Sequence, residues 1–159
     1  MKLALVAVGR AKGALADPIQ EYEMRVRRYF SFEAVAVKET AATRGKTPAQ
    51  VMEGEGERLL SRVPDGFELV ALHREGDSWS SERLATYLAQ LQLGAQPGLA
   101  FVIGGALGLA PAVLDRADRL LSLSSMTLPH ELARLVLTEQ LYRAGTILRG
   151  EPYHKATKV

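Results

Sequence analysis

Cysteine is absent from this chain of 159 residues. Without it there is no disulfide framework and no thiolate nucleophile, a pattern that suits the reducing cytosol. We therefore predict a cytoplasmic protein. Its length and its ordinary composition, 47% hydrophobic and 24% charged, favour one globular domain over residues 1–159.

Long hydrophobic runs are also missing. No apolar run approaches the roughly 20 residues that a membrane helix requires. Residues 1–9 have one lysine but no separate charged region or small-residue cleavage site, so a signal peptide is not expected. The net charge of +2, with a sequence pI of about 9.0, is only a weak indication of a polyanionic partner.

Apolar strand patterns alternate along the chain with helical patterns. We expect strands at 2–8, 32–38, 67–72, 99–103 and 119–123. A helix is expected from Asp17-Pro18 to about 30, with Asp17 as its N-cap. Further helices are expected from Thr47-Pro48, from Ser80 or Ser81, from Pro111 (a short one), and from Pro129 to about 148. This alternation predicts an α/β fold, a mostly parallel sheet with helices on both faces.

The strand at 99–103 leads directly into Gly104-Gly105-Ala106-Leu107-Gly108. Glycines let a ligand approach the backbone, and α/β sheets bind ligands at the carboxyl ends of their strands. No lysine follows, which argues against a P-loop, and the first strand lacks a dinucleotide-binding glycine pattern. A tight turn without a ligand is the alternative interpretation.

Two further loops are expected at the same edge of the sheet, at 73–79 and at 124–128. The loop at 124–128 carries no charge, and the glycine loop has none either. Together the three loops favour a neutral or zwitterionic ligand held by backbone groups. A triphosphate would require cations and metal-binding acids instead.

The three histidines, His73, His130 and His154, have no i, i+4 pair among them, so no metal site is predicted. His130 falls in the first turn of the last helix, where the helix dipole disfavours a protonated imidazole. It is either a proton acceptor, a hydrogen-bond donor or only a part of the helix cap.

Basic and aromatic residues concentrate in the last helix and the tail. Arg143, Tyr142, Tyr153 and Lys155 belong to this group. Cations that pair with phosphate and rings that stack on bases are typical of RNA contact. The alternative is a helix C-terminus enriched in cations by its dipole.

Three segments carry a resemblance to a known family: FVIGGALGL, LSLSSMTLPHELARLVLTEQLYRA and RGEPYHK. Together with MKLALVAVG at the start and RGK at 44–46, they resemble the bacterial RlmH-type methyltransferases of the SPOUT superfamily. The resemblance covers essentially the whole chain. It implies methylation of N3 of a pseudouridine in 23S rRNA of assembled ribosomes, with S-adenosylmethionine (SAM), by a homodimer with a C-terminal trefoil knot.

The resemblance also implies roles for individual residues. The cofactor is expected against Leu72, Gly104, Gly105, Leu123, Ser124, Ser125, Met126, Thr127 and Leu128. His130 or His154 is expected to accept the N3 proton, and Arg134 and Lys155 to stabilise the charge that develops on the base. RNA contacts are expected from Arg44, Lys46, Tyr142, Arg143 and Tyr153.

Two other classes of function stay open from the residues alone. A ribosome- or RNA-binding protein without catalysis has the same basic tail but needs no SAM. A flavodoxin-like small-molecule binder has a similar sheet and no dependence on ribosomes.

Overall fold

The computed structural model describes residues 1–41 and 45–155, with the side chains of residues 154 and 155 left out. Its strands are β1 (Lys2–Val8), β2 (Ser31–Val37), β3 (Glu68–Ser78), β4 (Gly98–Ile103) and β5 (Arg119–Ser122). Its helices are α1 (Ala16–Val26), α2 (Pro48–Ser61), α3 (Ser81–Leu93), α4 (Pro111–Arg116) and α5 (His130–Leu148). Short 3₁₀ turns lie at Gly13–Leu15 and Pro152–Lys155. Within the described ranges, no helix is long and apolar enough to cross a membrane.

The five strands form one sheet in the order β2-β1-β4-β3-β5, and every neighbouring pair is parallel. The predicted α/β fold is therefore confirmed. Because the strands are parallel, all their carboxyl ends lie at one edge of the sheet, and the connections that follow them meet there.

Alternate residues of each central strand supply two separate cores. Leu5 pairs with Phe101, and both pack beneath α1, α3 and α5. Their neighbours Val6 and Val102 face the opposite way, into a core closed by α2 and α4. The helices therefore cover both faces of the sheet, as predicted, which explains why β4 is buried along its whole length.

Two of the predicted helix starts are confirmed. Thr47 and Gln50 form a reciprocal capping box at the start of α2, and the Ser80 side chain accepts the Arg83 N–H at the start of α3. The prediction that Asp17 is an N-cap is wrong. The 3₁₀ turn at Gly13–Leu15 runs directly into α1, with the Ala16 N–H bonded to the Gly13 carbonyl, so the helix begins one residue before Asp17.

The prediction of a loop at 73–79 is also wrong in large part, since β3 continues to Ser78. The register against β5 shifts on the way, and Leu72 and Asp77 both pair with Leu121. Gly76 permits the close approach of β3 to β5 after this shift, because a Cβ at that position would lie 2.5 Å from the backbone carbon of Leu120. Because this stretch is mostly polar and charged, it lacks the apolar alternation from which a strand can be predicted.

Candidate functional site

A cavity of about 730 Å³ opens at the carboxyl edge of the sheet. The chain after β4 and after β5 forms two of its walls, and residues of β3 and the first turn of α5 complete it. Its lining comprises Leu72, His73, Arg74, Ile103, Gly104, Gly105, Ala106, Leu107, Gly108, Leu109, Leu123, Ser124, Met126, Thr127, Leu128, Pro129, His130 and Ala133. The three segments that the sequence placed at one edge do meet around one space.

Eight of the nine residues expected to bind the cofactor line this cavity, and Ser125 does not. Most of the lining is aliphatic side chain or bare glycine backbone, and three of its residues, His73, Arg74 and His130, are basic. The cavity therefore suits a ligand with a large apolar or aromatic part that hydrogen-bonds to backbone groups.

The glycine loop is a closed turn that leaves no room for side chains on its inner side. The Gly108 N–H donates to the Gly105 carbonyl at 3.0 Å, and Gly108 has φ of +87°. A Cβ on Gly104 would lie 2.8 Å from the backbone carbonyl carbon of Gly108. Glycine at position 104 is therefore required by backbone packing, before any ligand is considered.

A buried carboxylate supports the glycine loop from behind, and the sequence analysis missed it. Glu55 of α2 is 5% exposed. Its Oε1 lies 3.0 Å from where a Gly105 Cβ would stand, and its Oε2 accepts the Thr40 N–H at 3.1 Å. A signal was present, since Glu55 is at i+4 from Val51 and i−4 from Leu59, which are both buried.

The loop after β5 is held by two short-range hydrogen bonds. The Ser122 hydroxyl donates to the Ser124 carbonyl at 2.9 Å, and the Ser124 hydroxyl accepts the Met126 N–H at 2.9 Å. Met126 itself is 77% exposed at the rim. An apolar side chain of this loop is therefore exposed at the mouth of the cavity.

His130 is the first residue of α5 and part of the cavity lining. Its Nε2 is buried and has no hydrogen-bond partner among the described residues. The nearest carboxylate oxygens are Oε1 of Glu131 at 3.8 Å and Oε1 of Glu39 at 4.0 Å. That His130 accepts a proton stays a prediction, supported by its place in the cavity wall and by an Nε2 that has no hydrogen-bond partner among the described residues.

Arg134 is not part of the cavity lining. Its Nε and one terminal nitrogen donate to Oε1 of Glu23 at 2.8 and 2.6 Å, between α5 and α1. Both side chains are about nine-tenths buried, at 10% and 9% exposure. Within one chain, Arg134 therefore joins two helices and does not face the ligand space.

Tyr153, the one aromatic residue of the tail, packs on α5 and α1. The Tyr153 hydroxyl donates to Oε1 of Glu139 at 3.1 Å, and its ring lies 4.7 Å from that of Tyr142. The Arg143 guanidinium covers the Tyr153 ring at 4.9 Å. Burial and the hydrogen bond with Tyr22 raise the pKa of Tyr153. These side chains anchor the start of the tail against the helix.

The remaining predicted residues lie elsewhere. Lys46 is exposed just before α2, and Arg44 is outside the described residues. His154 and Lys155 belong to the 3₁₀ turn at Pro152–Lys155. In the described part of the chain, no three histidine or acidic side chains cluster as metal ligands would.

Comparisons with known proteins agree over nearly the whole chain. The sequence model of a family described as "Predicted SPOUT methyltransferase" matches residues 1–154. A ribosomal RNA large subunit methyltransferase H from Gemmatimonas aurantiaca is 48% identical over 156 residues, which cover 98% of this chain and 100% of the relative. A protein of the same name from an Anaeromyxobacter species is 49% identical over 156 residues, with the same coverage, 98% and 100%.

A solved structure shares the fold. It is that of the putative methyltransferase Lpg2936 from Legionella pneumophila, in complex with the bound cofactor SAM. The TM-score is 0.50 at 14% sequence identity, and the match covers 91% of this chain and 66% of the other.

Proposed function

The chain belongs to the SPOUT methyltransferase family, and we propose that it transfers a methyl group from SAM to ribosomal RNA of the large subunit. The observation that carries this proposal is the cavity at the carboxyl edge, with its glycine turn and its uncharged loop after β5. SAM combines an adenine ring with a zwitterionic amino-acid part. Backbone donors and acceptors hold such a ligand, and Leu72, Leu123 and Leu128 wall its apolar parts.

The target atom in this proposal is N3 of a pseudouridine in 23S rRNA of assembled ribosomes, in the cytoplasm. The relatives named above support an rRNA substrate, since they carry the name of large-subunit rRNA methyltransferases. The proposal includes a homodimer and a C-terminal trefoil knot, as the family resemblance implies. Catalysis is favoured over an RNA-binding role alone, because the relatives are named as methyltransferases and because a cavity for a small ligand opens at this edge.

The chain's own residues position the base and remove its proton. When bound, SAM would supply a methyl group activated by its sulfonium sulfur, and transfer of that methyl to N3 would break the carbon–sulfur bond and leave a neutral thioether. His130 Nε2 accepts the proton that N3 gives up, since it is buried at the cavity wall without another partner. His154 is the alternative acceptor. Lys155 stabilises the negative charge on the flanking carbonyls.

RNA contacts in this proposal come from several places. Arg44 and Lys46 pair with phosphate before α2. Arg143, Tyr142 and Tyr153 hold the start of the tail on α5 and supply the second set of RNA contacts. Arg134 supports the same helix through its pair with Glu23.

Methyl transfer to ribosomes tests the proposal directly. The protein is mixed with labelled SAM and with ribosomes that lack methylation at the site, and nucleosides are analysed by mass spectrometry. We expect label in N3-methylated pseudouridine with assembled ribosomes and none with free rRNA or separate subunits. Cofactor binding without label contradicts the proposed target. If SAM does not bind and no label appears, the proposal that the protein is a methyltransferase is contradicted.

The Gly104→Ala variant is expected to lose most of its SAM affinity. The new Cβ stands 2.8 Å from the Gly108 carbonyl carbon, so the loop backbone must shift. A shift that removes one or two backbone hydrogen bonds raises the Kd for SAM by about 10- to 100-fold. Calorimetry measures the Kd. Gly94→Ala lies at the end of α3, outside the cavity lining, where φ is −84° and the new Cβ meets only ordinary van der Waals contacts. It is the control and should bind SAM as the parent does.

A further inference from the structure

Exposed cations lie at the carboxyl edge of the sheet, the edge at which the cavity opens. Arg10 and Lys12 follow β1, and Lys38 follows β2. The register pairs Val8 with Val37, and the Gly9 N–H donates to the Val37 carbonyl at 2.8 Å, so the chains that carry Arg10 and Lys38 leave the sheet side by side. Arg74 is exposed on β3 and lines the cavity.

These four side chains have no ion pair with a carboxylate among residues 1–41 and 45–155. Ion pairs instead engage Arg25, Arg116, Arg119, Arg134 and Arg143. Two acids near the cavity, Glu39 and Glu131, lie beside His130. Arg10, Lys12, Lys38 and Arg74 therefore keep their charge available for an external anion.

We propose that Arg10, Lys12, Lys38 and Arg74 form a surface that binds phosphates of the RNA strand whose target base enters the cavity. The inference rests on the proposed function and specifies how its substrate is held. Phosphate contacts fix the position of a nucleic acid without reading its sequence. A base that projects into the cavity leaves its neighbouring phosphates over the carboxyl edge of the sheet, the edge that carries these cations.

The chain supplies a matched control at the opposite edge of the sheet. Lys2 begins β1, while Arg28 and Arg62 follow the C-terminal ends of α1 and α2. Helices that connect parallel strands run antiparallel to them, so these ends lie at the amino edge. All three residues are exposed, and none has an ion pair within the described ranges. Replacing them removes the same charge from a surface remote from the cavity.

The test compares two triple variants of the full-length protein. The carboxyl-edge variant combines Arg10→Gln, Lys12→Gln and Lys38→Gln, and it retains Arg74 because that residue lines the cavity. The amino-edge variant combines Lys2→Gln, Arg28→Gln and Arg62→Gln. Ribosome affinity is measured over a series of salt concentrations, SAM affinity is measured separately, and methyl transfer is followed as KM and kcat.

Each phosphate contact contributes roughly 0.7 to 0.9 to the slope of log K against log salt. The carboxyl-edge variant is expected to lose about 2 to 3 of that slope. Its KM for ribosomes should rise by at least 10-fold, with kcat and SAM affinity retained. The amino-edge variant should keep the parent's slope and KM.

The outcomes separate this inference from the proposed function. If the parent methylates ribosomes while the two variants show equal slopes, the assignment of the surface is wrong and the function stands. If the parent neither binds nor methylates ribosomes, the function fails and the surface fails with it. Loss of SAM binding in the carboxyl-edge variant alone also overturns the assignment, because these side chains then act on the cofactor site.

Discussion

The His130→Ala variant is expected to lose about 10²- to 10⁴-fold in the single-turnover rate of methyl transfer, the range for removal of a general base. The reason is the position of Nε2, which is buried at the cavity wall with no hydrogen-bond partner in the described part of the chain. Single-turnover reactions with ribosomes at saturating SAM, quenched at a series of times, measure this rate. The Kd for SAM should change far less than the rate, since the aliphatic and backbone walls remain.

Two comparisons decide whether the loss reflects proton transfer. Raising the pH should partly restore the rate of His130→Ala, because hydroxide then removes the N3 proton in place of the imidazole. His154→Ala, measured alongside, is expected to show the smaller loss. A full rate in His130→Ala with a large loss in His154→Ala transfers the role of proton acceptor to the tail.

Most of the strands and helices were predictable because they have strong local signals. Leu3, Leu5 and Ala7 alternate with Ala4, Val6 and Val8 in β1, and both sets are buried because helices cover both faces. The glycine turn after β4 likewise marks where a ligand can approach. Parallel topology alone then brings the chain after β4 and after β5 together, so the location of the cavity follows from sequence order.

Features that depend on long-range contacts were not predictable in the same way. The second half of β3 is polar, and only its pairing with β5 and the close backbone approach at Gly76 make it a strand. Glu55 belongs to a helix whose buried positions are otherwise mostly apolar. Its burial is explained only by its contacts with Gly105 and Thr40 in the folded protein. Such residues have partners far away in the chain, which periodicity cannot identify.

Arg134 shows the same limit for a predicted site residue. Its motif implied a contact with the reacting base, whereas the structure pairs it with Glu23, 111 residues away. A contact with the base predicts that removal of the Arg134 charge lowers activity, whereas the pair with Glu23 predicts that it lowers stability.

The Arg134→Met variant is expected to lower the free energy of unfolding by about 3–5 kcal/mol, because it leaves the Glu23 carboxylate buried without its partner. Equilibrium denaturation measures this loss. The double variant Glu23→Met, Arg134→Met replaces the pair by apolar side chains of similar length and should regain most of the stability. Arg25→Met, which breaks the half-exposed pair with Glu21, is the control and should cost less than about 1 kcal/mol.

Methyl transfer by the double variant separates the two roles of Arg134. If the guanidinium acts only by joining α5 to α1, stability and turnover recover together, since the helix that begins at His130 is again held in place. If stability recovers while turnover stays low, the charge itself takes part in the reaction, as the family resemblance implies. A double variant as unstable as Arg134→Met contradicts the view that the buried pair is replaceable by apolar packing.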